Sequence, residues 1–432
     1  MKFDSCTLDA EYPVYGAQFL DNSNLLIAGG GGEGKNGIPN MLNTLKISET
    51  NVENPNDHTL TLTKVTGFEL EAEDDSPTAL DAHSGVILLG CNENSNKIQE
   101  GKGNKHIRKF VYNNINSKYE LEFVKAIDFD KSKDPSEYTK LINITKDGTL
   151  TAIASSDEPT KLRIIHANDM TEIFEIQSSL EIKDLQFSPN GKLITYITKN
   201  SLEMISTVTG KCVARNVNFD PNLNLSKIRF IDNDTIVIAA SFIKGTGIVL
   251  TAVDIKSGKA TITKSKLLSK KFKGITSMDV DSKGQLGVIS TNDNSLILIK
   301  LGNLQMGKLI KQVHNFAITK VTISPDSHYI ASVSAANTVN VISVPQGYAL
   351  SLSKSEIAYK VFTRFILIVL FTILLQRIIE NNLHSKFMKY LSDLNEKRNK
   401  NNNTQANYFI QTTLVGKHTS IDDAIPTETL NQ

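Results

Sequence analysis

A short strand, a polar turn and a second apolar strand recur along the first 345 residues of this chain. The last apolar residue of the first strand falls at Phe19, Leu80, Ile144, Phe187, Phe230, Val280 and Ile323, and an apolar or aromatic residue returns six positions later each time. Turns such as Ser188-Pro189-Asn190-Gly191 and Ser324-Pro325-Asp326-Ser327 supply the dihedrals of a tight reversal. Successive anchors lie 61, 64, 43, 43, 50 and 43 residues apart. Four-stranded units with a floor near forty residues have the period of WD-type propeller blades. The expectation is an all-β chain, a seven-bladed β-propeller over residues 1–348, with six or eight blades as alternatives. A plain β-sandwich fits the strands but not the period. The last unit runs short of strands, so the segment Lys2 to Leu8 is expected to supply its outer strand and close the ring. There is no tryptophan, so the Trp-Asp markers of such repeats are lost, with Ile299-Lys300 standing in their place in the sixth unit.

The extra length of the first units is concentrated in Gly29-Gly30-Gly31-Gly32-Glu33-Gly34-Lys35-Asn36-Gly37-Ile38-Pro39-Asn40. A glycine loop of this length in a compact domain is either slack or functional. Pro39 fixes its exit and Ile38 is apolar on a wet loop, which favours function. Two nucleotide motifs match on paper: Gly29-x4-Gly34-Lys35, and Gly29-x-Gly31-x-x-Gly34. Both require a following helix whose N-terminus binds phosphate. The run Met41 to Ile47 alternates like a strand instead, so a phosphate-loop hydrolase is rejected. The charged tracts Glu69 to Asp75 and Lys102 to Lys109 read as solvated faces. Pro77 leads into blade two on the face where the glycine loop should lie.

A formal net charge of +1 gives no support for a nucleic-acid partner. Three scattered cysteines and eight histidines without metal spacing offer neither a disulfide framework nor a zinc site.

After a linker over residues 349–360, residues 361–379 are apolar on all faces and read as a transmembrane helix. At about 1.5 Å per residue the span reaches roughly 28 Å, the thickness of a thin bilayer. With no N-terminal signal, the propeller is expected in the cytosol and the tail, residues 380–432, in the lumen. The tail is polar and expected to be disordered, with Asn402-Asn403-Thr404 as a glycosylation acceptor.

Several long strings are unusual: Val14-Tyr15-Gly16-Ala17, the loop itself, Asp74-Asp75-Ser76-Pro77-Thr78-Ala79, Gly90-Cys91-Asn92-Glu93-Asn94-Ser95, Gly101 to His106, Phe272 to Asp281 and Phe365 to Leu370. Through them the chain resembles the yeast Sec-twelve-type exchange factors, from its N-terminus through the span. The resemblance implies a single-pass protein of the endoplasmic reticulum membrane that also cycles through the early Golgi. It further implies guanine nucleotide exchange on a Sar-type small GTPase, which starts COPII coat assembly. By the same resemblance, the loop holds a potassium ion through backbone carbonyls, drawn here from Gly30, Gly31, Gly32, Glu33 and Gly34. Asn40, with Ile38 and Pro39, is then a surface contact to the GTPase, and Pro77 sits beside it. Exchange needs no covalent chemistry, so no nucleophile–base pair is expected. The alternative is a tethered propeller scaffold, or an exchange-inactive paralogue, that only binds coat components.

Overall fold

The structure is a computed structural model that describes residues 2–34, 36–51, 58–115, 118–256, 258–352, 354–380 and 383–415. Seven antiparallel four-stranded sheets form in chain order, the first from Val14–Phe19, Asn24–Gly29, Met41–Asn51 and His58–Glu69. The seventh takes its outermost strand from the other end of the chain. Ser5–Asp9 pairs with Thr338–Ser343, Cys6 opposite Val341, so the ring closes as expected and this blade is completed across the termini.

Each blade buries both faces, which is why a strand such as Asn24–Gly29 is buried at every position. Alternate residues serve opposite neighbours: Leu25 and Ile27 pack toward blade seven, Leu26 and Ala28 toward blade two. The core is therefore a set of apolar seams between adjacent blades. Around the axis a second device links them. A side chain on the innermost strand accepts a backbone N–H of the next blade, Asp81 from Ile144 (2.7 Å), Asn143 from Phe187 (2.8 Å), Gln186 from Phe230 (2.7 Å) and Asp279 from Ile323 (2.8 Å). The donating residues, Ile144, Phe187, Phe230 and Ile323, are four of the periodic anchors. Arg229 cannot accept; its guanidinium lies 2.7 Å from Asp184 and 3.9 Å from Asp279 at the wall of an axial cavity of about 660 Å³.

The second compact unit, residues 352–432, holds α2, Lys354–Glu380, and α3, Leu383–Val415; a short α1, Ser95–Gln99, belongs to blade two. Helix α2 starts at Lys354, so most of the expected linker is helical. Residues 354–360 contain neither Gly nor Pro to stop it. Among the described residues one helix segment, Ile357–Glu380, is long and apolar enough to cross a membrane. The tail departs from expectation. Instead of disorder from residue 381, the backbone is helical over Leu383–Val415, a stretch free of Gly and Pro and carrying Phe387, Met388, Leu391 and Leu394 at helical spacing. Asn402 falls on the backbone of that helix.

Candidate functional site

Because every blade is a meander, the second-to-third-strand loops and the blade-to-blade connections share one face. The glycine loop, the connection over residues 70–78 and the blade-two loop over residues 91–106 meet there. The loop leaves its strand by close backbone approach: a Cβ on Gly29 would stand 1.9 Å from the Pro13 carbonyl, which accepts the Gly30 N–H at 2.9 Å. Gly30 and Gly32 have φ of +154° and +73°, the region in which side chains are strained. A Cβ on Gly30 would lie 2.1 Å from Asn40 Oδ1.

Asn40 is 2% exposed, which corrects its reading as a surface contact. Its Oδ1 accepts the Gly32 N–H at 3.0 Å and its Nδ2 donates to the Asp74 carbonyl at 2.8 Å. One buried amide therefore closes the glycine loop on itself and ties it to the connection before blade two. Asn36 makes the second internal tie, donating from Nδ2 to the Gly31 carbonyl at 2.9 Å and accepting the Ile38 N–H at 3.0 Å. Gly31 is not at positive φ; a Cβ there would instead meet Asn36 Oδ1 at 2.5 Å and Ile38 Cβ at 2.8 Å. Ile38 is half-buried against the apolar seam between blades one and seven, and Pro39 is exposed. Pro77 is buried, three residues past the carbonyl that Asn40 holds. Lys35 lies outside the described residues.

Glu33 reaches across to blade two, where its Oε2 accepts the Ser95 N–H at 2.7 Å at the first turn of α1. The local sequence explains the helix: Asn94 caps it, its side chain accepting the Asn96 N–H at 3.0 Å. Beneath lies a network that includes Asp74, Asn104 and Arg108 from the two tracts read as solvated. Asp74 is 4% exposed and its carboxylate sits 2.6 Å from Arg108 Nη1, also buried. Burial pushes the Asp74 carboxyl upward while Arg108 draws it back. Asn104 donates to Asn92 at 3.0 Å, and Asn92 donates to the Glu137 carbonyl at 2.8 Å, extending the support to blade three. Buried Asp74, Asn104, His106, Arg108 and Lys109 correct the solvated reading of both tracts. Strand alternation in Ile107–Ile115 was the available signal for Arg108; Asp74 had none.

Among the described residues no group of three or more His, Cys, Asp or Glu is placed to hold a metal ion. The loop offers backbone carbonyls, hard oxygen donors, and the Asp75 carboxylate stands 2.9 Å from where a Gly32 Cβ would be. That donor chemistry fits a hard monovalent cation; the Gly31 carbonyl accepts one hydrogen bond from Asn36 and keeps a second lone pair.

Fold and site together define a WD-type seven-bladed propeller with a stapled glycine loop on one face. The family described as WD domain, G-beta repeat, matches residues 307–343, across blades six and seven. The chain is 45% identical over 390 residues to the guanine nucleotide-exchange factor SEC12 of Candida glabrata, covering 90% of this chain and 83% of that protein. It is also 46% identical to SED4 of the same yeast and 38% identical to SED4 of Saccharomyces cerevisiae, both candidate guanine nucleotide-exchange factors. The chain spans about a third of the length of the two SED4 proteins, 32% and 37%. The protein belongs to the SEC12 family of guanine nucleotide-exchange factors.

Proposed function

We propose that this protein promotes GDP release from a Sar-type small GTPase at the endoplasmic reticulum membrane, and so starts COPII coat assembly. The supporting observation is a loop that combines rigid support with an exposed tip. Asn40, Asn36 and Glu33 fix its backbone from three sides, while Pro39 is left to solvent beside half-buried Ile38. An exchange factor must bind the nucleotide-free GTPase more tightly than the GDP form, since equal affinity shifts nothing. A preorganised loop pressed on the switch segments provides that difference without ordering cost on contact. Ile38 and Pro39 make the contact; Asn40 is a positioning residue, and Pro77 shapes the neighbouring connection.

The carbonyls of Gly30, Gly31, Gly32, Glu33 and Gly34 would hold a potassium ion, that of Gly31 through the lone pair not used by Asn36. Bound there, the ion would supply positive charge that keeps several carbonyls turned to one side. Helix α2 spans the membrane in this reading, with the propeller cytosolic and Asn402 lumenal.

The test is GDP release from a Sar-type GTPase, followed with the full chain in detergent. Acceleration that falls with Asn40→Ala supports the proposal; binding without acceleration selects the scaffold reading. For orientation, protease added to intact microsomes should digest the propeller, and glycan on Asn143 in place of Asn402 would reverse the topology.

A further inference from the structure

Three steps in this chain pair an Asn or Asp with a following glycine: Asn36-Gly37 in the glycine loop, and Asp147-Gly148 and Asn190-Gly191 in blade turns. At such a step the glycine nitrogen can attack the side-chain carbonyl carbon of the residue before it and close a cyclic imide. Glycine permits this because it has no side chain to shield its nitrogen or restrict its backbone. By sequence the two Asn-Gly steps are equivalent. The structure separates them.

In both blade turns the attacking nitrogen is occupied. The Gly191 N–H donates to the Ser188 carbonyl at 2.8 Å, and the Gly148 N–H to the Thr145 carbonyl at 2.8 Å. Each bond closes a turn between two paired strands, Asp184–Phe187 with Leu193–Ile197 and Thr139–Ile144 with Leu150–Ser155. The nitrogen there cannot swing toward the side chain without opening the turn. The Gly37 N–H has no hydrogen-bond partner among the described residues. Asn36 and Gly37 are both exposed, and nothing lies within 4 Å of a Cβ placed on Gly37.

The electrophile is prepared at both Asn-Gly steps. Asn36 Oδ1 accepts the Ile38 N–H at 3.0 Å. Negative charge develops on that oxygen as the nitrogen bonds to Cγ, and the donor is already aimed at it. Asn190 Oδ1 has comparable donors, Ser188 Oγ at 2.8 Å and the Lys192 N–H at 3.1 Å. The difference between the two sites therefore lies in the nitrogen.

We propose that Asn36 is a site of spontaneous deamidation that unties the glycine loop. The Gly37 N–Cγ bond forms and the Cγ–Nδ2 bond breaks, and ammonia leaves with the proton that Gly37 gave up through solvent. Water then opens the imide, at the N–Cγ bond to give aspartate or at the other N–C bond to give isoaspartate. Either product lacks Nδ2, the donor that holds the Gly31 carbonyl at 2.9 Å. Aspartate turns negative charge toward that carbonyl oxygen, and isoaspartate adds an atom to the main chain of the loop. The modification stands without any partner; its effect on exchange rests on the proposed function of the loop.

The test ages the full chain in detergent at mildly alkaline pH, in water labelled with heavy oxygen, and follows both Asn-Gly steps by peptide mass spectrometry. Asn36 should convert on the order of tenfold faster than Asn190, because the Gly191 bond must break before attack. Heavy oxygen should enter both aspartate and isoaspartate at position 36, the mark of a hydrolysed imide. GDP release from the Sar-type GTPase should fall in step with the converted fraction. Asn36→Asp should show the lowered rate from the start, with an unchanged thermal transition. No conversion at Asn36, or equal conversion at Asn36 and Asn190, overturns the proposal. Conversion with undiminished GDP release overturns the untying of the loop. Fresh protein that never accelerates GDP release overturns the proposed function instead, while the mass spectra still decide the modification.

Discussion

The side-chain amide of Asn40 donates to the backbone carbonyl of Asp74 at 2.8 Å, joining two connections 34 residues apart in sequence. The same amide accepts the Gly32 N–H, so its removal strands a donor and an acceptor in a buried place. Asn40→Ala should therefore lower exchange and also stability, by about 1–3 kcal/mol, read in a denaturant titration. An activity loss with no stability change would return Asn40 to the role of a surface contact.

The loop glycines are not equivalent. A Cβ on Gly31 collides with Ile38 Cβ at 2.8 Å, whereas one on Gly34 finds nothing nearer than Asn36 Nδ2 at 3.9 Å. Gly31→Ala should slow GDP release on the order of tenfold by moving Ile38, a barrier change of about 1.4 kcal/mol. Gly34→Ala should stay within about twofold of wild type. Equal effects at the two positions would mean that the loop acts by flexibility rather than shape.

Glu33 and Ser95 link the loop to α1 across 62 residues. Glu33→Ala should speed hydrogen exchange at the Ser95 amide and cost about 1 kcal/mol of local stability, comparable to losing a helix cap. Slower GDP release in the same variant would show that the loop needs its blade-two support. Unchanged Ser95 exchange would remove that link from the account.

His314 gives the propeller an acid-side weakness. It is 4% exposed between Thr338 Oγ1 (2.6 Å) and Ser332 Oγ (2.8 Å), and burial lowers its pKa to about 4. The unfolded chain titrates near 6.5, so between the two values it binds more protons than the folded one. Stability is then complete above the unfolded value and falls as pH drops toward the folded one, by up to about 1.4 kcal/mol per unit. Thermal melts from neutral pH to pH 4 should show this slope, and His314→Gln should flatten it.

Much of the fold was legible in the chain because its determinants are local. A pleat of period two and turns rich in Pro, Asn, Asp and Gly set strand and reversal within a few residues, and they recur at every blade. Anchors such as Ile144, Phe187, Phe230 and Ile323 therefore marked the inner strands, and the glycine loop's place between two strands excluded a phosphate loop. The apolar run of α2 was equally plain, since composition alone makes it.

What the ring alone decided was which polar groups meet. Asn40 with Asp74, Glu33 with Ser95, and Arg108 with Asp74 are brought together by blade packing, and no spacing in the sequence encodes those pairings. Gly31 could be suspected from its neighbours, but its constraint is a contact with Ile38 rather than a positive φ. Charge tracts look solvated when read linearly because burial depends on which residues cover them. Closure of the seven blades buried Asp74 and Arg108 while leaving Lys270 and Lys271 in water.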